Sequence, residues 1–335
     1  MKELINFSNY QFDIDQFSNV ENDLPIFLKK HHLHGIELLI GYDQKTVYPQ
    51  ETIYSVHLPF WVTWLDVFNQ KPGALESYYE GMDKRYYKHM CGGTSPEEMC
   101  QNMYMLWNNA LKMQAHHAVL HACHVELEHS YTRQYTYSNM EVLRAFASLL
   151  NKTAAMYPDG EPPVTIALEN LWWPGLTFID HQETLSFMEM LEFKNWHFVL
   201  DTGHLMNAFG DITNRQEASD RLLEWIETTP TVILDKIKTL HLSYSGSATY
   251  QKESVVEGFP NDFQTLSFYE KYGKVSEHVF KIDHHQAFSS SFLQEIIDRI
   301  APDTLVHEFL GSLEEKTVKL IQQKECLGIP ILEEV

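Results

Sequence analysis

A chain of 335 residues with 44% apolar and 13% aromatic side chains has ample material for a buried core, and no Pro/Gly/Ser-rich linker or low-complexity run divides it. One domain over 1–335 is therefore expected. A formal charge of −21 disfavours unspecific attraction to nucleic acid or to an anionic membrane, although carboxylates gathered in a cation site would contribute to that sum as bare charges.

The opening stretch MKELINFSNYQFDID meets acidic residues at once, so it does not read as a signal peptide. No later run approaches the roughly 18 apolar residues of a membrane span, and a soluble, cytoplasmic protein with no membrane partner is expected. The four cysteines, Cys91, Cys100, Cys123 and Cys326, form no CxxC pair and suit a reducing compartment better than a disulfide framework or a thiolate zinc site.

In chain order, short β-branched or apolar runs occur at Leu4–Phe7, Gly35–Ile40, Thr52–Leu58, Ala118–Ala122, Val164–Glu169, His197–Asp201, Ile237–Ser243 and Thr304–Phe309. Between most of them lie helix-length segments with an apolar stripe, such as Met99, Met103, Leu106, Trp107 and Ala110. Three helix starts carry a cap side chain three residues before a carboxylate: Ser95 to Glu98, Asp180 to Glu183 and Ser312 to Glu315. Strand alternating with helix eight times predicts a (β/α)8 TIM barrel, with an open doubly wound sheet as the rival. No GxGxxG follows an early strand and no GxxxxGK[ST] occurs, so dinucleotide and P-loop readings lack support. Two connections are unusually long, Pro59 to Thr94 after the third strand and Ser245 to Phe288 after the seventh. Such loops suit lids or binding loops at the C-terminal face of a barrel.

The predicted strands end in side chains that bind metals: His57, His121, Glu169, Asp201 followed by His204, His241 and Glu308. Strand alternation offers a check, because a ligand shares its face with residues two and four positions earlier. Glu169 follows Ala167 and Thr165, His241 follows Thr239, His57 follows Ser55, and Glu308 follows Val306 and Thr304. Small residues thus line the face assigned to the barrel interior, while Ile166, Leu168, Leu240, Leu242 and Leu305 face the helices. A carboxylate after an apolar strand needs a cation or strong donors to stay ionised. Nitrogen and oxygen ligands without thiolates suit zinc, manganese, iron or cobalt.

The stretches VHLPF, LHACH, ALENLWW, VLDTGHL, LHLS, IDHH and VHEF, in this order, resemble endonuclease IV and its relatives in the xylose isomerase-like barrel superfamily, the AP endonuclease 2 family. The resemblance spans nearly the whole chain and implies up to three zinc ions held by nine side chains. His57, His121 and Glu169 would hold one ion, and Glu169 would bridge to a second held by Asp201, His241 and Glu308. His204, Asp283 and His285 would hold the third. Sugar isomerases and epimerases of the superfamily often keep only the central Glu, Asp, His and Glu. The seventh loop is longer than the family spacing implies, which leaves His284 or His278 as alternatives to Asp283 and His285. Phe288-Ser289-Ser290-Ser291 stands where a Gly-Glu-Gly is common. Alternation favours His121 over His124. The other histidines, including His31, His32, His34, His116, His117, His129, His181 and His307, read as surface residues or as supports behind a site.

Two chemistries and one non-catalytic role follow. Clustered ions would activate water and bind phosphoryl oxygens, giving phosphoester hydrolysis. A single central metal would instead chelate a ketose while Glu169 and Glu308 act as the acid/base pair of an isomerase or epimerase, with His57 and His121 as substrate hydrogen-bond partners. A non-catalytic barrel holding a metal or ligand is the third reading. The complete nine-position set favours hydrolysis. Phe60 and Trp61 are candidate wedges or lid residues, Trp172 and Trp173 could stack on a sugar or base ring, and Arg133 is among the basic residues of the relevant loops. Acidic residues interleave with those bases, so a small phosphoester or sugar-like substrate ranks above duplex DNA.

Overall fold

The computed structural model describes residues 1–42 and 45–328. Eight parallel strands close into one barrel in sequential order: β1 (Lys2–Ser8), β2 (Gly35–Leu39), β3 (Ile53–His57), β4 (His117–His121), β5 (Thr165–Glu169), β6 (Trp196–Asp201), β7 (Ile237–Leu242) and β8 (Thr304–His307). All eight predicted runs are strands to within two residues at either end. The barrel shuts where Leu4 of β1 pairs with Val306 of β8. The open-sheet alternative is thereby excluded.

The three predicted caps form as their chemistry requires. Ser95 accepts the Glu98 N–H at the start of the helix Pro96–Lys112. Asp180 accepts from Gln182 and Glu183 at His181–Met190, and Ser312 and Glu315 make a reciprocal box at Leu313–Cys326. The β2-to-β3 connection departs from the ideal repeat: among its described residues it holds one 3-10 turn, Gln50–Thr52, and no α-helix. The two long connections carry helices of their own, Leu65–Phe68, Ala74–Tyr79 and Tyr87–Met90 in the first, Ala248–Glu257 and Phe268–Val279 in the second.

Alternation divides the barrel as the sequence pattern requires. Ile166, Leu168, Leu240, Leu242 and Leu305 join the large core between strands and helices. Inside, Val119, Ala167 and Val199 form a separate small apolar layer. The lumen also holds the polar residues Glu37, Ser55, His117, His197 and Thr239, all buried. His117, expected among surface or supporting histidines, is fully buried there, and His307 is fully buried between Glu3 and Gln323. Small interior residues leave room for these polar groups, and room in the lumen is what lets side chains from opposite strands meet at its mouth.

Candidate metal centre

The ends of β3 to β8 and the turn at 283–285 bring nine ligand-type side chains together in three sets. His57, His121 and Glu169 form one, Glu169, Asp201, His241 and Glu308 a second, and His204, Asp283 and His285 a third. Within each set one ligand atom per residue lies within 4.8 Å of every other.

Local structure explains the placement. Asp201 caps the helix Thr202–Phe209: one carboxylate oxygen accepts the His204 N–H at 2.6 Å, which leaves Oδ2 buried and without a partner. Asn170, directly after Glu169, ties β5 to β6 by accepting the Asp201 N–H at 2.8 Å and donating to the Asp201 carbonyl at 3.1 Å. The Asn170 carbonyl also accepts from His204 Nδ1 at 2.9 Å, as the Leu58 carbonyl does from His57 Nδ1. A carbonyl can only accept, so in both rings Nδ1 carries hydrogen and Nε2 is the atom turned to the cluster. Asp283 is held in turn, with Oδ1 near Asn207 and Ser245 and Oδ2 at 2.6 Å from His285 Nε2 and 3.3 Å from His204 Nε2.

Buried carboxylates and imidazoles face one another at short range. Glu169 is fully buried, with Oε2 at 3.1 Å from both His57 and His121, while Oε1 has no hydrogen-bond partner. His241 Nδ1 lies 3.0 Å from Glu308 Oε2 and 3.4 Å from Glu169 Oε1, off the line of a hydrogen bond to either. The central set therefore turns four unsatisfied atoms toward one another: Glu169 Oε1, Asp201 Oδ2, His241 Nδ1 and Glu308 Oε2. Buried polar atoms are normally satisfied, and a divalent cation bound by nitrogen and oxygen would satisfy all four.

Titration behaviour has the same origin. Burial pushes the Asp201 carboxyl up, and with Glu308, Glu169 and Asp283 close by it lies well above the usual range. Burial also opposes ionisation of Glu169, but His121 and His241 outweigh it and hold that carboxyl well below the usual range. Burial lowers His285, yet Asp283 more than compensates and lifts it to about 9. His241 is raised well above its ordinary value against burial by Glu37, Glu169 and Glu308. Protons thus occupy the places where positive charge is needed.

A cleft of about 280 Å³ opens over these residues. Phe60, Trp172 and Trp173 line it as expected, and Phe60 lies 4.4 Å, centroid to centroid, from His121. Trp172 stands 5.2 Å from His204, and the indole N–H groups of Trp172 and Trp173 have no hydrogen-bond partner. Trp61 and Arg133 do not line the cleft. The Trp61 ring packs on Gly92 and donates to the Tyr42 hydroxyl, and the Arg133 guanidinium turns to the Asn207 carbonyl at 3.3 Å. Of the alternative histidines, His124 accepts the N–H groups of Trp64 and Leu65, His278 stacks on Tyr131, and His284 faces the Lys281 carbonyl. None of the three belongs to a ligand set. Among the described residues lining the cleft, none is Lys or Arg.

Sequence reasoning missed Glu37, Asn170 and Phe280. Glu37 stands between Ile36 and Leu38 in β2, where alternation puts it in the lumen, and that was its available signal. Asn170 follows a ligand directly. Phe280 lies in a long loop and offered none.

Comparison with known proteins agrees with this architecture. No curated protein matches the sequence. Similar solved structures include a candidate xylose isomerase from Rhodospirillum rubrum, 11% identical over 97% of this chain and 99% of that one, with a TM-score of 0.56. Endonuclease IV from Thermus thermophilus is 12% identical over 98% and 99%, with a TM-score of 0.50. The 3-keto-D-glucoside 4-epimerase YcjR from E. coli is 10% identical over 97% and 98%, at 0.49. At such identities the likeness shows the fold alone. Residues 93–268, just over half of the chain, match the family described as xylose isomerase-like TIM barrel. With its closed eight-stranded barrel, the chain belongs to the xylose isomerase-like TIM barrel family.

Proposed function

We propose that this protein is a metal-dependent hydrolase of small phosphoesters, with up to three divalent ions, zinc foremost, held by the nine residues at the barrel mouth. The observation that supports it is the arrangement outside the central set: five further residues, His57, His121, His204, Asp283 and His285, complete two more ligand sets around it. A one-metal isomerase gives those residues no metal to hold.

When bound, such ions polarise phosphoryl oxygens and lower the pKa of water at neutral pH. The chain's own residues supply position. Glu169 belongs to two of the sets and would set the spacing between two ions. The carbonyl tethers on His57 and His204 fix the direction of their free nitrogens. Phe60, Trp172 and Trp173 wall the cleft with apolar surface that limits water, and the unpartnered indole N–H groups are themselves buried behind it. The described lining of the cleft lacks Lys and Arg and the adjoining recess adds Lys316 and Lys319, which falls short of the row of phosphate contacts that duplex DNA requires. A neighbouring recess of about 700 Å³, sharing Phe280, Asp283 and Leu310 with the cleft, leaves room for the remainder of a modest substrate.

The isomerase reading has one observation in its favour: Glu169 and Glu308 flank the same nitrogen of His241, as an acid/base pair around one metal would. Glu169 is nevertheless fully buried among imidazoles, with a side-chain exposure of 0% against 16% for Glu308, which is a poor position for a base that must reach a substrate carbon. Metal content after chelator-free purification, with hydrolysis assays on a generic phosphodiester and an abasic-site duplex, tests the proposal. More than one equivalent and phosphodiester cleavage are expected. One equivalent, no cleavage and deuterium exchange at a ketose carbon would replace it with the isomerase.

A further inference from the structure

We infer that Glu37, on β2 and outside the nine, is a positioning residue that sets which nitrogen of His241 meets the central metal. The inference rests on the metal reading of the site. Glu37 is 2% exposed in the barrel lumen, and among the described residues its carboxylate meets Ser55, His117 and His241 and no Lys or Arg. An isolated carboxylate is costly to bury, by several kcal/mol, so its partners must carry hydrogen toward it.

The geometry orients the carboxylate and the ring it faces. Ser55, paired with Glu37 across β2 and β3, donates to Oε2 at 2.8 Å and fixes the carboxylate plane. The other oxygen, Oε1, reaches across the lumen to His241 Nε2 at 2.9 Å. Neither nitrogen is in line for a hydrogen bond, but the ring stands with Nε2 on Glu37 and Nδ1 on Glu169 and Glu308. With a cation neutralising those two carboxylates, the Glu37 charge behind Nε2 favours hydrogen on that nitrogen and leaves Nδ1 to the central set. Had Nδ1 carried the hydrogen, the ring would present a donor to the cation. A carboxylate behind the imidazole also makes the ring a stronger ligand, and loss of such a partner typically lowers metal affinity 10- to 100-fold. His117, 3.7 Å from Oε2, is a weaker contact and is shared with Thr239.

The test uses the full chain loaded with zinc or cobalt, in unaltered form and as Glu37→Gln and Glu37→Leu. Gln keeps the shape and one acceptor without the charge, whereas Leu removes both. Competition with a chromophoric chelator should show central-site affinity falling about 10-fold or more for Gln and further for Leu, and the visible spectrum of the cobalt protein should change. A purely structural role would alter the melting temperature and leave the cobalt spectrum of the folded fraction unchanged. Should the Leu variant fail to fold, the Gln variant decides. Wild-type affinity and spectrum in Glu37→Gln overturn this inference alone, while absence of metal binding by the unaltered chain overturns the metal reading and this inference together.

Discussion

His204 gives its Nδ1 hydrogen to the carbonyl of Asn170, the residue directly after Glu169, so a ligand of the third set is oriented by the backbone that carries the residue shared by the other two. The sets are joined mechanically, yet the third draws all its ligands from side chains outside the central one. Replacing His204 or His285 with Ala should therefore remove about one metal equivalent, measured by elemental analysis of the purified variants. Phosphodiester turnover should fall at least ~100-fold, as for loss of one ion from a multi-metal clamp. An unchanged metal count would show that the third set holds no ion.

Stripping the metal should destabilise the fold, because the central set then buries carboxylates and an imidazole with unsatisfied atoms. A ligand present at 1,000 times its dissociation constant stabilises by about 4 kcal/mol. For a chain of this size that corresponds to a fall in melting temperature of about 6 °C after chelation. Differential scanning calorimetry with and without re-added zinc checks both the fall and its reversal.

The segment after β5 lies tightly over β4: the His124 N–H donates to the Pro174 carbonyl at 2.9 Å and the Leu176 N–H to the Ala122 carbonyl at 2.8 Å. Gly175 sits at φ +137°, and a Cβ there would lie 2.0 Å from the Ala122 carbonyl oxygen. Gly175→Ala should cost about 2 kcal/mol or more and displace the Trp172–Trp173 pair. Chemical denaturation reads the first effect, and tryptophan fluorescence reads the second.

Replacing Trp172 with Ala should raise KM for a phosphodiester several-fold with a smaller change in kcat, because the ring walls the cleft without belonging to a ligand set. Trp172→Phe retains much of the wall but lacks the unpartnered N–H, so its difference from the unaltered protein reports that group and its difference from Trp172→Ala reports the wall. Steady-state kinetics of both decide.

Away from the site, Glu3 links the two ends of the barrel closure. Burial opposes its ionisation, but His307 and Lys324, the latter at 2.9 Å, bring the carboxyl down to about 2 from its ordinary 4.5. A lowered folded-state value means that the stabilisation is complete above about pH 4.5 and disappears as the pH falls toward 2. Glu3→Gln should therefore lose about 1 kcal/mol at neutral pH, allowing for solvent screening, and show a flatter decline over that acid range in urea titrations.

The parts of this molecule legible in its sequence are those governed by short-range rules. Alternation in TIALE and in KTLHL placed Glu169 and His241 on the lumen face, and the eight apolar runs outlined the strands of the barrel. Ser95, Asp180 and Ser312 announced their helices by cap chemistry. Trp61 and Arg133 went astray because a loop's path depends on contacts distant in sequence: Gly92 and Tyr42 receive Trp61, and Asn207 receives Arg133. Glu37 escaped notice because it lies in the middle of a strand, although the same alternation rule applies to it.

The three ligand sets also divide the chain in time. His57, His121 and Glu169 lie on β3 to β5, so their set is encoded entirely in the first 169 residues, while His204, Asp283 and His285 all follow β6. The central set takes Glu169 from the early half and Asp201, His241 and Glu308 from the late one. Each half of the polypeptide thus carries one outer set of its own, and the middle one exists only once both halves have come together. An ion at that middle position would act as a rivet between the halves, and its uptake would mark the completion of the barrel during biosynthesis.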